Sequence, residues 1–142
     1  MLKIFDRKRL VGSWQLQRWC ITYEDGAVTE PLRPGAVGLL VYTPDGWMSA
    51  AMMAVDRPQL TRGNPRAASV KEKAMAFDTF FGYCGRWRIV GQIVEHHVTI
   101  SHNPALVGTV QARRIQLRGR TLTLSAEEAV PDGLRVHRLQ WR

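Results

Sequence analysis

Three side chains in this sequence have the types and positions to do chemistry together: His97, Arg113 and Tyr42. An imidazole titrates near neutrality and can give or take a proton. Strand alternation puts His97 on one face with Thr99 and Ser101. Arg113 shares a face with Ile115 and Leu117. If that face points inward, the guanidinium needs a carboxylate, a backbone carbonyl or an anionic ligand group, because an unpaired buried charge is very costly. A place near a mouth, with the head in water, would relieve the same cost. Tyr42 stands just before Thr43-Pro44-Asp45-Gly46, where its hydroxyl could donate into a pocket or its ring could simply pack. Should the three converge in an apolar cavity, they would orient a carbonyl or enol and move a proton.

Other candidates are weaker. His96 and His97 are adjacent, so in a strand they point to opposite faces and cannot chelate one ion. No Cys/His set has zinc-site spacing, and no P-loop, dinucleotide fingerprint or nucleophile elbow occurs, so neither a metal nor a cofactor is expected. Asp78, among Phe77, Phe80 and Phe81, is read as half of a structural ion pair with an arginine such as Arg86. Met48, Met52, Met53 and Met75 supply soft apolar surface, either core filler or pocket lining. The ligand-lining set expected from these considerations is Tyr42, Met48, Ala50, Met52, Phe80, Tyr83, His97 and Arg113.

The elements that must position these residues are mostly strands. Turn signals recur at short intervals, at Glu24-Asp25-Gly26, Pro44-Asp45-Gly46, Val90-Gly91-Gln92, Arg118-Gly119-Arg120 and Pro131-Asp132-Gly133. Between them lie runs rich in β-branched and aromatic residues, read as strands over 13–23, 37–43, 46–54, 86–90, 92–101, 109–117, 120–127 and 134–141. In the first strand, alternation sets Trp14, Leu16, Arg18 and Cys20 against Gln15, Gln17, Trp19 and Ile21. Eight short strands joined by hairpins suggest a sandwich or a barrel meander. One helix interrupts them near 68–84, with Ser69 and Glu72 spaced as a capping box, Ala74, Phe77 and Phe81 at helical spacing, and Gly85 able to end it. The polar stretch Asp56–Asn64 is the expected mobile loop and, with the helix, a gate.

The chain has 142 residues, of which 45% are hydrophobic, enough for one domain with a core of its own. Met1–Leu10 lacks the apolar run of a secretory leader, and no stretch is long and apolar enough to span a bilayer; the reading is a cytoplasmic protein without membrane attachment, with Cys20 and Cys84 as reduced thiols, though one bridge between them stays open. The net charge of +8 raises nucleic acid as a partner, yet the sixteen arginines are scattered rather than gathered in a stripe with exposed aromatics, so no nucleic acid is expected.

Several segments resemble the bacterial and fungal lipocalin-like domain family of calycin-type barrels. They are LVGSWQL at 10–16, GLLVYTPDGWMSA at 38–50, KEKAMAFDTFFGYCGRW at 71–87, VEHHV at 94–98, NPALVGTVQARRIQLRGRTLTL at 103–124 and LQWR at 139–142. The resemblance implies an all-β fold, an eight-stranded antiparallel up-and-down barrel with a central cavity and the helix inserted near 68–84, as a single domain over 1–142. It also implies a tryptophan at the barrel base, here Trp14, with Arg138 or Arg142 packed over it.

The leading functional expectation is binding of a small apolar or amphiphilic molecule in the cavity. The alternative is a cofactor-free cyclase, isomerase or dehydratase that uses the same cavity through His97, Arg113 and Tyr42. The sequence leaves the oligomeric state open; an exposed barrel flank could serve a homodimer.

Overall fold

The computed structural model describes residues 3–142. Nine antiparallel strands run β1 (Gly12–Tyr23), β2 (Val28–Thr29), β3 (Val37–Tyr42), β4 (Trp47–Met53), β5 (Phe80–Val90), β6 (Ile93–Ser101), β7 (Val110–Arg118), β8 (Thr121–Val130) and β9 (Gly133–Trp141). Each long strand pairs with the next, and β1 also pairs with β9, so eight strands close into an up-and-down barrel; β2 is a two-residue addition beside the end of β1. Closure leaves the eight long strands without a free edge.

Strand alternation gives the barrel its inside. Along β4, Met48, Ala50 and Met52 are buried while the residues between them are exposed. Leu40, Val94, Leu122 and Trp141 are among the most deeply buried residues of the core. Two β-bulges break the simple alternation. In β1 the pairing with β9 skips Gln17, so Leu16 and Trp19 both face inward although they are three residues apart. The expected grouping of Trp14, Leu16, Arg18 and Cys20 on one face therefore fails beyond Leu16. In β6 the extra residue is Thr99, with Val98 opposite Gly85 and Ile100 opposite Cys84. The missing Cβ at Gly85 is what allows the His97 carbonyl to approach β5 so closely.

The N-terminal segment plugs one end. Phe5 and Leu10 are buried, the Phe5 amide donates to the Gly91 carbonyl at 2.8 Å, and the Arg7 guanidinium donates to the Pro44 carbonyl at 2.9 Å. Arg7 also lies 4.4 Å over the ring of Trp87, whose indole N–H donates to the Thr43 carbonyl at 3.1 Å. The expected stack of Arg138 or Arg142 on Trp14 is not formed among the described residues. The Trp14 indole instead donates to the Leu10 carbonyl at 2.9 Å, and Arg138 points outward to Thr22 Oγ1. The cation over a basal tryptophan is supplied from the N-terminal segment rather than from the end of the chain.

The helix α1 (Val70–Asp78) is shorter than expected. Ser69 and Glu72 do form the capping box. However, Phe80 to Gly85 belong to β5, because their residue-by-residue pairing with Met53 to Met48 of β4 outweighs their helical spacing. Gly85 is thus mid-strand, not a helix terminator. Asp78, at the end of α1, makes no ion pair among the described residues, and Arg86 stacks 4.4 Å over Trp47 instead. No residue of α1 is buried; its C-terminal end is held by Arg57, which donates to the Ala76 carbonyl at 3.0 Å and Thr79 Oγ1 at 3.1 Å. Ser69→Ala is expected to weaken the helix by about 1 kcal/mol and to leave the barrel's unfolding midpoint unchanged. Hydrogen exchange checks this: faster exchange confined to 70–78 is the expected pattern, and a global increase would refute it.

Cys20 and Cys84 are both free thiols.

Candidate functional site

The end opposite the N-terminal plug holds a cavity of about 450 Å³, within the range of small-molecule sites. Its wall is largely aliphatic and aromatic, with Leu40, Ala50, Met52, Phe81, Leu124 and Leu139 among the lining residues. Two hydrogen-bonded clusters and several single polar side chains, Arg113 among them, interrupt it.

The first is built on β3, β5 and β6. Val94, His96 and Val98 alternate inward on β6 and are all almost fully buried. His96 sits between two tyrosines: its Nε2 is 2.6 Å from the Tyr42 hydroxyl and its Nδ1 is 2.6 Å from the Tyr83 hydroxyl. Burial drives the His96 pKa down to about 3, and the nearby positive charge of Arg113 pushes the same way. Burial likewise raises both tyrosines, with Arg113 opposing. His96 is therefore neutral at pH 7 and carries one N–H.

That single hydrogen gives the chain a direction. One tyrosine donates to the imidazole; the other accepts from it and keeps a hydroxyl hydrogen that no described residue accepts. Tyr42 is 1% exposed and has no second partner among the described residues, whereas Tyr83 lines the cavity. A buried donor left without an acceptor costs about 1–3 kcal/mol. The favoured arrangement is Tyr42 O–H donating to Nε2 and Nδ1–H donating to the Tyr83 oxygen, with the Tyr83 hydroxyl hydrogen turned to the cavity.

The second cluster lies on β8 and β9. Arg135 grips Glu128 with two bonds, at 2.7 and 2.9 Å, and His137 Nε2 approaches the same carboxylate at 2.7 Å. These partners, Arg135 first, pull the Glu128 pKa down to about 2. Trp19 N–H donates to His137 Nδ1 at 3.3 Å. An indole nitrogen can only donate, so the His137 hydrogen is on Nε2 and faces Glu128.

Arg113, on β7, projects into the same cavity. Its bonds are to its neighbour's carbonyl, Ala112, at 3.0 Å and to the Gln111 side chain at 3.4 Å. Among the described residues no carboxylate lies within salt-bridge distance of it.

Of the residues expected to line a site, Ala50, Met52, Tyr83 and Arg113 do so. Tyr42 stands behind the wall and reaches the cavity only through His96. Met48 is buried in the core, and Phe80 faces outward, packed against Arg57 and His102. His97 does not join Tyr42 and Arg113. It points out of the barrel, where its Nε2 meets Glu95 at 3.1 Å. His96 takes the inward position because it shares a face with Val94 and Val98. Glu128, Arg135, His137 and Trp19 lie outside the expected set. The alternation Arg135, His137, Leu139, Trp141 in the last strand carries the signal for two of them. Trp19 needs the bulge at Gln17, which nothing in the sequence announces.

No group of three or more potential ligands for a metal ion occurs among the described residues, and no helix of the described structure is long and apolar enough to cross a membrane. No curated protein and no solved structure matches the chain. A family model described as a lipocalin-like domain does match, over residues 11–142. With the closed eight-stranded barrel and its apolar cavity, this match shows that the chain belongs to the lipocalin-like domain family.

Proposed function

We propose that this protein binds one small apolar or amphiphilic molecule inside the barrel. Barrels of eight strands have room for one small ligand. The observation that carries the reading is the cavity itself: about 450 Å³, mostly apolar, with a few polar groups gathered at its wall. Native mass spectrometry of freshly purified protein, followed by a melting-temperature screen against lipophilic compounds, tests it. A ligand at a hundred times its Kd is expected to stabilise the fold by about 2.7 kcal/mol. Ala126 lines the cavity and is only partly buried, so Ala126→Trp is expected to fill the space and weaken binding by about tenfold or more while the barrel stays folded. A protein that is always empty and shows no melting shift across the library would overturn the proposal.

A second reading, chemistry on the bound molecule, draws on the Tyr83 hydroxyl, which is oriented to protonate or polarise a carbonyl. It is the less supported of the two. Both nitrogens of His96 and of His137 are already engaged and Glu128 is held by Arg135 and His137, which leaves the solvent-exposed Glu127 as the lining carboxylate without such partners among the described residues. Chromatography of candidate carbonyl compounds after incubation checks it; a product formed by the protein and lost in Tyr83→Phe is the result that supports it.

A further inference from the structure

We propose that the polar end of the bound molecule is a carboxylate, seated against Arg113 and the Tyr83 hydroxyl, with the apolar body along Leu40, Met52 and Leu139. This rests on the cavity being a binding site, as proposed above. Four observations converge on it.

Arg113 is an inward cation with no carboxylate partner among the described residues; a neighbouring backbone carbonyl and one long amide contact are all it has. The carboxylate on the adjoining strand, Glu128, is already saturated by Arg135 and His137. The charged residues lining the cavity are Arg113, Arg135, Glu127 and Glu128; Glu128 is bound to Arg135, Glu127 is exposed to solvent, and among the described residues no carboxylate pairs with Arg113. An anion supplies what the wall lacks.

The hydrogen-bond polarity agrees. The Tyr42–His96–Tyr83 chain ends in a hydroxyl hydrogen directed at the cavity, and a chain of such bonds strengthens its last donor. Trp141, which also lines the cavity and is 2% exposed, has a buried indole N–H with no partner among the described residues. Arg113, Tyr83 and Trp141 are all donors. An alcohol brings one acceptor oxygen together with a donor of its own and an ammonium brings donors only, whereas a carboxylate brings two acceptor oxygens that suit a guanidinium fork. The other lining cation, Arg135, is already bound to Glu128, so no second cation is open to a polyanion among the described residues.

The test compares matched pairs of probes: dodecanoate with dodecanol, and 4-butylbenzoate with 4-butylbenzyl alcohol. Binding is measured by calorimetry at pH 7 in wild type, Arg113→Met and Arg113→Lys, with melting curves to confirm that each variant folds. In wild type each acid is expected to bind about tenfold or more tighter than its alcohol. That preference is expected to vanish in Arg113→Met and to survive in part in Arg113→Lys, while the alcohols bind all three alike. Equal affinity of acid and alcohol in wild type, or an acid preference that persists in Arg113→Met, would overturn the carboxylate assignment while leaving the cavity reading intact. If none of the four probes, and nothing in the lipophilic screen, binds, both fall together.

Discussion

Lowering the pH from 7 to 4 is expected to cost the folded barrel about 3 kcal/mol through His96 alone. The ordinary imidazole pKa of 6.5 falls to about 3 at this buried position. Above pH 6.5 the ring is neutral both folded and unfolded, and the full stability is present. Below it the unfolded chain takes up a proton that the folded barrel refuses. Each further pH unit costs about 1.4 kcal/mol until the folded pKa is reached. Glu128 acts in the same direction but lower down. Its contribution is present above its ordinary value of 4.5 and fades as the pH falls toward 2, and a side chain 44% exposed is screened enough to make it small. The window from 6.5 to 4.5 therefore belongs to His96 and not to Glu128. Urea unfolding at one-unit pH steps measures it, with His96→Leu as the reference. The variant is expected to lose about 2–4 kcal/mol at pH 7, because Tyr42 keeps a buried hydroxyl without an acceptor, but its stability should be nearly flat across that window. Adding Tyr42→Phe to His96→Leu removes the stranded hydroxyl, so the double variant is expected to be more stable than the sum of the two single losses. A wild type whose stability does not change between pH 6.5 and 4.5 would refute the account.

Gly85→Ala is expected to be among the most damaging single-methyl additions in the chain, at about 3 kcal/mol or more. A Cβ there would overlap the carbonyl oxygen of His97, with the carbonyl carbon at 2.9 Å and the Thr99 nitrogen at 3.1 Å. All three atoms are backbone, so no side chain can rotate away. The β6 bulge would have to open, and with it the register that places His96 beside Tyr83. Gly91→Ala is the control. Gly91 lies in a turn at φ 61, and a methyl group added there would meet nothing within 4 Å, so its cost is only the left-handed strain of about 1–2 kcal/mol. Equilibrium unfolding of the two variants separates the effects. If Gly85→Ala is no worse than Gly91→Ala, the close approach is not what the bulge depends on. A surviving Gly85→Ala protein should also bind its ligand more weakly, since Tyr83 and His96 are positioned across that bulge.

Much of the barrel is legible from local signals alone. Gly- and Asp-containing turns at short intervals, and runs that alternate in polarity, identify hairpin-linked strands, because turn conformation and pleat are properties of a few adjacent residues. The capping box of α1 is equally local. Phe80–Gly85 reads as helix in the sequence because a short apolar segment suits either period. Only its hydrogen bonds to β4, made by residues some thirty positions earlier, decide for a strand.

The candidate site divides in the same way. The sequence by itself determined which chemical groups are available: an arginine among aliphatic residues in β7, tyrosines in β3 and β5, and a histidine pair in β6. It also determined that only one histidine of that pair can face inward. Tertiary structure decided which one, and the reason is burial. The barrel closes on the face that carries Val94 and Val98, and His96 goes with them, made neutral and satisfied by two tyrosines that lie 54 and 13 residues away in the chain. Tertiary structure also decided that Trp19 reaches the cavity and that Glu128 is spent on Arg135 and His137. Those outcomes depend on a bulge and on strand register, which are set by pairing between distant strands. Arg113 stands out in its strand face as a charge in need of a partner; among the described residues the fold gives it the Ala112 carbonyl and the Gln111 side chain but no carboxylate, and that is the physical ground for seeking its counter-ion in the ligand.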